Sequence, residues 1–152
     1  MPLIDVEALT AEISPEAPCG EDISYDPAFS ELDRIAQGTQ EQVMGDEVIA
    51  AEEPNWSDVA RRSLELLARS RDLRVLTYLI LAALKVEGLT GLRDGLAVLR
   101  RLIETRWDTF YPLLDPEDDN DPTERVNIIE AISQPSASSG QAISPVANMM
   151  SR

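Results

Sequence analysis

From Leu73 to Val86 the chain reads LRVLTYLILAALKV, apolar at almost every position and broken only by Arg74, Thr77, Tyr78 and Lys85. A helix that is apolar around its whole circumference has to be surrounded by other elements. A bilayer crossing needs about 20 apolar residues, more than this run supplies, so it reads as the central helix of a soluble bundle. The segments beside it are apolar on one side only. Trp56, Val59, Ala60, Leu64 and Leu67 form a stripe that opens at Asn55, with Asp58 in a capping-box-like position. Leu89, Leu92, Leu96, Leu99 and Ile103 step by three and four up to about Trp107. That predicts an amphipathic helix packed antiparallel on the central one, over too short a run for a coiled coil. Gly91 and Gly95, four residues apart on this helix, suit a close approach between helices.

The remaining segments are shorter. Asp5 as a cap, with Val6, Leu9 and Ile13, predicts a helix over 5–13 that the prolines and glycine of Ser14–Gly20 end. Asp26 and Pro27 read as N-cap and first helical position, Phe29, Leu32, Ile35 and Ala36 as one face, and Gly38 as the terminator. Ser70 offers a cap for the central helix, which ends near Gly88. Trp107–Leu114, with three aromatics and a proline, suits a plug at one end of the bundle. Asp121, Pro122 and Glu124 repeat the pattern of a helix start, and Val126, Ile128, Ile129 and Ile132 carry that helix to about Ser133. Residues 39–54 are acidic and hold no base, and their only apolar anchors are Val43-Met44 and Val48-Ile49. They read as a mobile surface loop, with partner binding as the second reading. No segment alternates with period two over a useful length, so no sheet is expected. The fold class is therefore all-α, a single bundle of about six or seven helices over residues 1–133. A Ser/Pro linker (QPSASSGQA) and short tail over 134–152 follow, in which Ser144-Pro145 can start a last turn bearing Val146, Met149 and Met150.

Charge narrows the partners. The net charge is −15 and the pI about 4.2, which argues against nucleic acid or an anionic membrane as the main partner. The charge is uneven: residues 1–54 carry 14 acids and one base, 55–107 carry 6 acids and 10 bases, and 108–152 carry 8 acids and 2 bases. The arginine-rich middle can dock the chain's own acidic flanks, the plainer reading, or a partner. With no histidine, Ser-His and Cys-His nucleophile pairs and His-ligated metals are excluded within this chain. What stays open is carboxylate chemistry or a hard cation. The single cysteine, Cys19, excludes an internal disulfide and points to a reducing compartment, and the N-terminus shows no secretory signal.

Each chemical candidate has a plainer counterpart. Asp115, Glu117, Asp118, Asp119 and Asp121 resemble a calcium loop, but the sixth and twelfth positions counted from Asp115 are Asn120 and Val126, where an EF-hand needs Gly and Glu. A helix-capping loop accounts for the same residues. Paired carboxylates can do acid–base work only where a pocket separates their pKa values, and no polar framework selects a pair. Cys19, beside Glu21 and Asp22, reads as a structural thiol. Trp56 and Trp107 can anchor an interface, but both also sit at core spacing.

Taken in order, several segments carry a resemblance. They are Pro18-Cys19-Gly20-Glu21-Asp22 with Tyr25-Asp26-Pro27; Glu53-Pro54-Asn55-Trp56; Ser70-Arg71-Asp72-Leu73-Arg74-Val75; Trp107-Asp108 leading into Tyr111-Pro112-Leu113-Leu114-Asp115-Pro116-Glu117-Asp118; and Asp121-Pro122-Thr123 with Arg125 and Asn127. This ordered set, over about residues 14–130, resembles the ImpA-related N-terminal domain of the TssA family in bacterial type VI secretion. The resemblance implies a helical domain of a cytoplasmic, non-enzymatic assembly component. Its partners would be the baseplate, sheath or tube proteins, with no nucleic acid, no membrane insertion and no cofactor. It also implies homo-oligomerisation through a separate C-terminal region that is absent here, since the likeness fades after about Asn127. No catalytic or metal-ligating residue comes with it. The acidic loops supply the candidate partner contacts: Asp46, Glu47, Glu52 and Glu53 in the first, and Asp115, Glu117, Asp118 and Asp119 in the second. The alternative is an acidic calcium-responsive binding module.

Overall fold

The computed structural model describes residues 2–39 and 42–133, so the linker and tail read for 134–152 lie outside the described residues. The first helix, α1 (Val6–Thr10), is followed by α2 (Pro27–Ala36), a hairpin of β1 (Gln42–Met44) and β2 (Glu47–Ile49), α3 (Trp56–Leu67), α4 (Leu73–Glu87), α5 (Leu89–Thr105), a 3-10 turn at Pro116–Asp118 and α6 (Thr123–Glu130). The fold is thus mostly helical rather than all-α: the hairpin corrects the expectation that no sheet forms and gives the stretch read as a mobile surface loop two short strands.

Side-chain caps start most of the helices. Asp5 accepts from Ala8 N–H, Asp26 from Ala28 N–H with Pro27 behind it, and Asn55 from Asp58 N–H. Each such cap is worth about 1 kcal/mol. The central helix is capped by Asp72, which accepts from Arg74 N–H, and not by Ser70. Ser70 lies too early, in a short antiparallel pairing with Gly20. Helix α1 is shorter than expected because the chain turns extended at Ala11. The buried Arg71 then takes up the freed Ala8 and Ala11 carbonyls. Helix α6 begins at Thr123, where Asp121 accepts from both the Thr123 N–H and its hydroxyl.

Helix α4 is central in fact. Its Leu73, Val75, Leu76, Leu79, Ile80, Ala82, Ala83 and Leu84 are buried, and it packs against α3, α5 and α6. Gly88, with φ +72°, is the sole residue between α4 and α5, so the two helices return antiparallel. Their close approach runs through the small residues. A Cβ at Gly91 would sit 2.3 Å from the Ala83 carbonyl oxygen, and one at Gly95 2.7 Å from Ile80 Cγ1. The buried face of α5 is Gly91, Gly95, Val98, Leu99 and Leu102. Leu89 and Leu96, read from their spacing as part of the packed stripe, instead face outward.

One node ties the bundle ends together. Arg71 N–H donates to the Cys19 carbonyl at 2.7 Å, Leu73 N–H to the Tyr111 carbonyl at 2.7 Å, and Tyr111 N–H to the Arg71 carbonyl at 3.0 Å. The Tyr111 hydroxyl reaches the Gly20 carbonyl at 3.2 Å. Gly20 has φ +82°, and a Cβ there would lie 1.9 Å from the Arg69 carbonyl oxygen.

Candidate functional site

The hairpin over 42–49 is built on a two-residue turn, Gly45-Asp46, with Gly45 at φ +64°. A glycine in the first turn position is a recognised signature of two-residue hairpins. The register pairs Val43 with Val48 and Met44 with Glu47. At its base Thr39 and Glu52 exchange backbone hydrogen bonds at 3.0 and 2.8 Å. Period-two alternation puts Val43 and Val48 on one side and Met44 with Glu47 on the other. All three apolar side chains are open to solvent: Val43 is 68% exposed, Met44 64% and Val48 64%. Asp46, Glu47, Glu52 and Glu53 are exposed around them. Glu53 lies 3.1 Å from Lys85 Nζ on α4, an exposed pair of small energetic value.

The second acidic segment is locally ordered. Asp115 caps the 3-10 turn by accepting from Glu117 N–H at 2.9 Å, while its backbone carbonyl accepts from Asp118 and Asn120. Asp119 and Asn120 take left-handed conformations, φ +52° and +55°. Asp121 is pushed below the usual aspartate range by the Thr123 hydroxyl and backbone N–H. Asp115, Glu117, Asp118 and Asp119 are all exposed. Among the described residues no three acidic or thiol side chains are grouped as a metal ion would require, so the calcium-responsive alternative finds no support.

The other candidates resolve into structure. Cys19 is buried, its Sγ 3.2 Å from Thr109 Oγ1. Trp56 and Trp107 are partly buried against the core. Trp107 meets Phe110 edge-on at 5.6 Å between ring centres, which gives the aromatic plug its geometry. Arg69 pairs with Glu21 at 2.8 Å and with Asp26, and Lys85 with Glu53, so part of the arginine-rich middle does dock the acidic N-terminal flank. Among the described residues the carboxyls whose pKa is displaced, Asp22, Asp26, Glu31, Asp58 and Asp121, are all pushed down, chiefly by side-chain hydrogen bonds. A general acid needs the opposite shift. A cavity of about 420 Å³ lies between α2, α4 and α6, lined by Phe29, Asp33, Arg74, Tyr78, Leu81 and Ile128 among others. There Tyr78 donates to Asp33, and burial followed by that carboxylate pushes the phenol well above its ordinary range.

Three features escaped the pattern of the sequence. Arg71 and Arg125 are buried arginines that serve backbone carbonyls rather than acids. The hairpin strands are three residues each, too short for alternation to show, and only the Gly45-Asp46 turn could have signalled them. The outward face of α5 carries Leu89, Arg93, Leu96 and Arg100, all exposed.

Comparison with known proteins agrees with these observations. The family described as ImpA, N-terminal, type VI secretion system matches residues 10–134. The type VI secretion system component TssA1 of Pseudomonas aeruginosa is 49% identical over 130 residues, covering 86% of this chain and 38% of that protein. A solved structure is also similar: the N-terminal domain, including the conserved ImpA_N region, of the TssA component from Burkholderia cenocepacia. It superposes with a TM-score of 0.67 at 26% identity, covering 95% of this chain and 56% of that one. The chain thus spans well under two thirds of either relative.

Proposed function

The chain belongs to the ImpA N-terminal family of the type VI secretion system, and from that premise we propose that it is a protein-recognition domain of a secretion assembly component. The reading is non-enzymatic and cytoplasmic, with residues 1–133 as the folded recognition unit and any ring-type oligomer formed through a region outside it. Its partners are baseplate, sheath or tube proteins. The observation that carries the reading is the hairpin, where Val43, Met44 and Val48 stand exposed beside Asp46, Glu47 and Glu52. Exposed apolar side chains rimmed by charge mark interaction surfaces. A hairpin tip that touches no core has no stabilising use for them. The loop bearing Asp115, Glu117, Asp118 and Asp119 is the second contact, held in shape by the Asp115 cap.

The test is capture of secretion proteins by chemical crosslinking from a type VI-active bacterial lysate, with the 152-residue chain as bait. Asp46→Lys with Glu47→Lys, and separately Glu117→Lys with Asp118→Lys, should each lower the yield of a baseplate, sheath or tube protein while the melting temperature holds. Capture unaffected by both variants would refute the assignment of these loops.

A further inference from the structure

Helix α5 presents a second surface of opposite character. At 100° per residue, Leu89, Arg93, Leu96 and Arg100 fall within about 60° of one another around the helix axis. Leu89 is 64% exposed and Leu96 41%. The Arg93 and Arg100 side chains are 73% and 83% exposed, and their ion pairs are with neighbours on the same helix, Asp94 and Glu104. Arg101 extends the basic face and is also exposed. In a chain of net charge −15, this alternation of leucine and arginine is the complement of the hairpin, which sets exposed apolar residues beside the acids Asp46 and Glu47 and holds no base.

We propose that the hairpin of one copy docks on the α5 stripe of a second copy, head to tail. The inference rests on the recognition reading above and concerns the hairpin alone. The dimensions fit. Leu89 and Leu96 are about 10 Å apart along the helix at about 1.5 Å per residue. A three-residue strand spans about 10 Å, so the hairpin side that carries Met44 and Glu47 can lie along the stripe, with Met44 against a leucine and Glu47, beside the turn residue Asp46, against Arg93 and Arg100. Like surfaces cannot meet instead: hairpin on hairpin joins acids to acids, and α5 on α5 joins arginines to arginines. At physiological salt the Debye length is about 8 Å. The overall repulsion between two acidic copies is then screened while charges in contact still attract. The interface is unlike on its two sides, so it leaves a free hairpin and a free stripe on every pair and grows into chains or rings. Its small area places it among weak, transient contacts.

The experiment is sedimentation velocity on the whole chain from about 10 μM to about 1 mM, the range in which a small interface associates. The wild type should show a weight-average sedimentation coefficient that rises with concentration. R93A/R100A and D46N/E47Q should each weaken association about tenfold or more, with melting temperatures unchanged because all four side chains are exposed. Mixing the two variants should restore a complex that stops at one to one, since the first keeps a working hairpin and the second a working stripe. A wild type monomeric throughout, variants that associate as the wild type does, or a mixture that forms no complex would each overturn the proposal. A monomeric wild type that still captures a secretion protein through its hairpin would remove self-docking and leave the recognition reading standing. Self-association without such capture would do the reverse.

Discussion

Arg125 is the residue on which the end of the bundle depends most. It is 1% exposed. Its guanidinium donates to the carbonyls of Trp107 at 2.6 Å, Phe110 at 2.8 Å and Pro112 at 2.9 Å, and lies 3.9 Å from the centre of the Phe110 ring and 4.7 Å from that of Trp107. Burial pulls its pKa down and the nearby Asp108 charge opposes this, yet a guanidinium stays charged. Arg125→Met keeps most of the volume and removes every donor. The Phe110 carbonyl, bonded within the core, would then be orphaned at a cost of about 1–3 kcal/mol. The Trp107 and Pro112 carbonyls lie nearer solvent and can recover water, so about 0.5–1 kcal/mol each is the better figure. Loss of stacking on two rings adds about 1–2 kcal/mol. Relief of the buried charge's desolvation offsets part of the sum. The net loss is about 3–5 kcal/mol, which for a domain of this size lowers the melting temperature by about 10 °C or more. Urea unfolding followed by tryptophan fluorescence measures it, because Trp107 sits on the affected site. Arg125→Lys, which keeps the charge but has no planar fork, should recover less than half of the loss. A penalty for Arg125→Met below about 1 kcal/mol would refute this account of the plug.

Three further outcomes follow from the packing and the charges. Gly91→Ala should destabilise by about 1–3 kcal/mol, because its Cβ meets the Ala83 backbone at 2.3 Å and backbone cannot yield cheaply; Gly88→Ala meets no atom within 4 Å and should cost only the strain of φ +72°, about 1–2 kcal/mol, both read by urea midpoints. Asp26 is held below the usual range, first by the Arg69 hydrogen bond, so the folded chain binds fewer protons there than the unfolded chain. Its stabilising effect is complete above the unfolded aspartate pKa of about 4 and is lost as pH falls through the lower folded value; Arg69→Met should flatten that part of the acid limb of melting temperature against pH. Val43→Ser with Val48→Ser should leave stability within about 0.5 kcal/mol of wild type, since both side chains are largely exposed, and thermal melting would show it.

How much of this was legible depended on what each element signals. Helices α2 to α5 were readable because caps and periodicity agree: Asp26-Pro27, Asn55 with Asp58, and the unbroken apolar run of α4. The packed face of α5 was legible in part: Gly91 and Gly95 read as a close approach, and Leu92, Leu99 and Ile103 do pack on the core, but leucine spacing also drew in Leu89 and Leu96. Gly91 and Gly95 set the packed face by letting α4 approach, and Leu89 and Leu96 are left outside. The hairpin was hidden because three-residue strands are shorter than the pattern that identifies strands, and because Val43, Met44 and Val48 serve no core. Arg71 and Arg125 stand within the resemblance segments, but nothing local marks them as buried. Their burial depends on carbonyls contributed by α1 and by the 107–112 segment, and no local window of sequence contains both partners. The contact residues proposed in the two acidic loops followed from charge alone, which is why sequence could name them but not separate Asp115, occupied as a cap, from its freer neighbours.

Several of the residues that carry the family resemblance do their work inside the molecule. Cys19 packs on Thr109, Gly20 admits the Arg69 carbonyl, Asp72 caps α4 and pairs with Arg74, Tyr111 joins Gly20 and Leu73, and Trp107 stacks beneath Arg125. Each of these roles can be derived from packing or hydrogen bonding, and none needs a partner. This buried part of the pattern identifies the fold and is silent on what the fold recognises; the exposed part is the loop bearing Asp115, Glu117 and Asp118. The hairpin strands and the exposed stripe of α5 lie outside that pattern. Substitutions there cost little stability, because the side chains are already in water. Partner choice can therefore change on these two surfaces without disturbing the node that holds the bundle. Exchanging the 42–49 hairpin for that of another domain with the same node residues should transfer binding preference and leave the melting temperature nearly unchanged. A chimaera that keeps its original partner, measured by the same crosslinking capture, would move recognition away from the hairpin and onto the 115–121 loop.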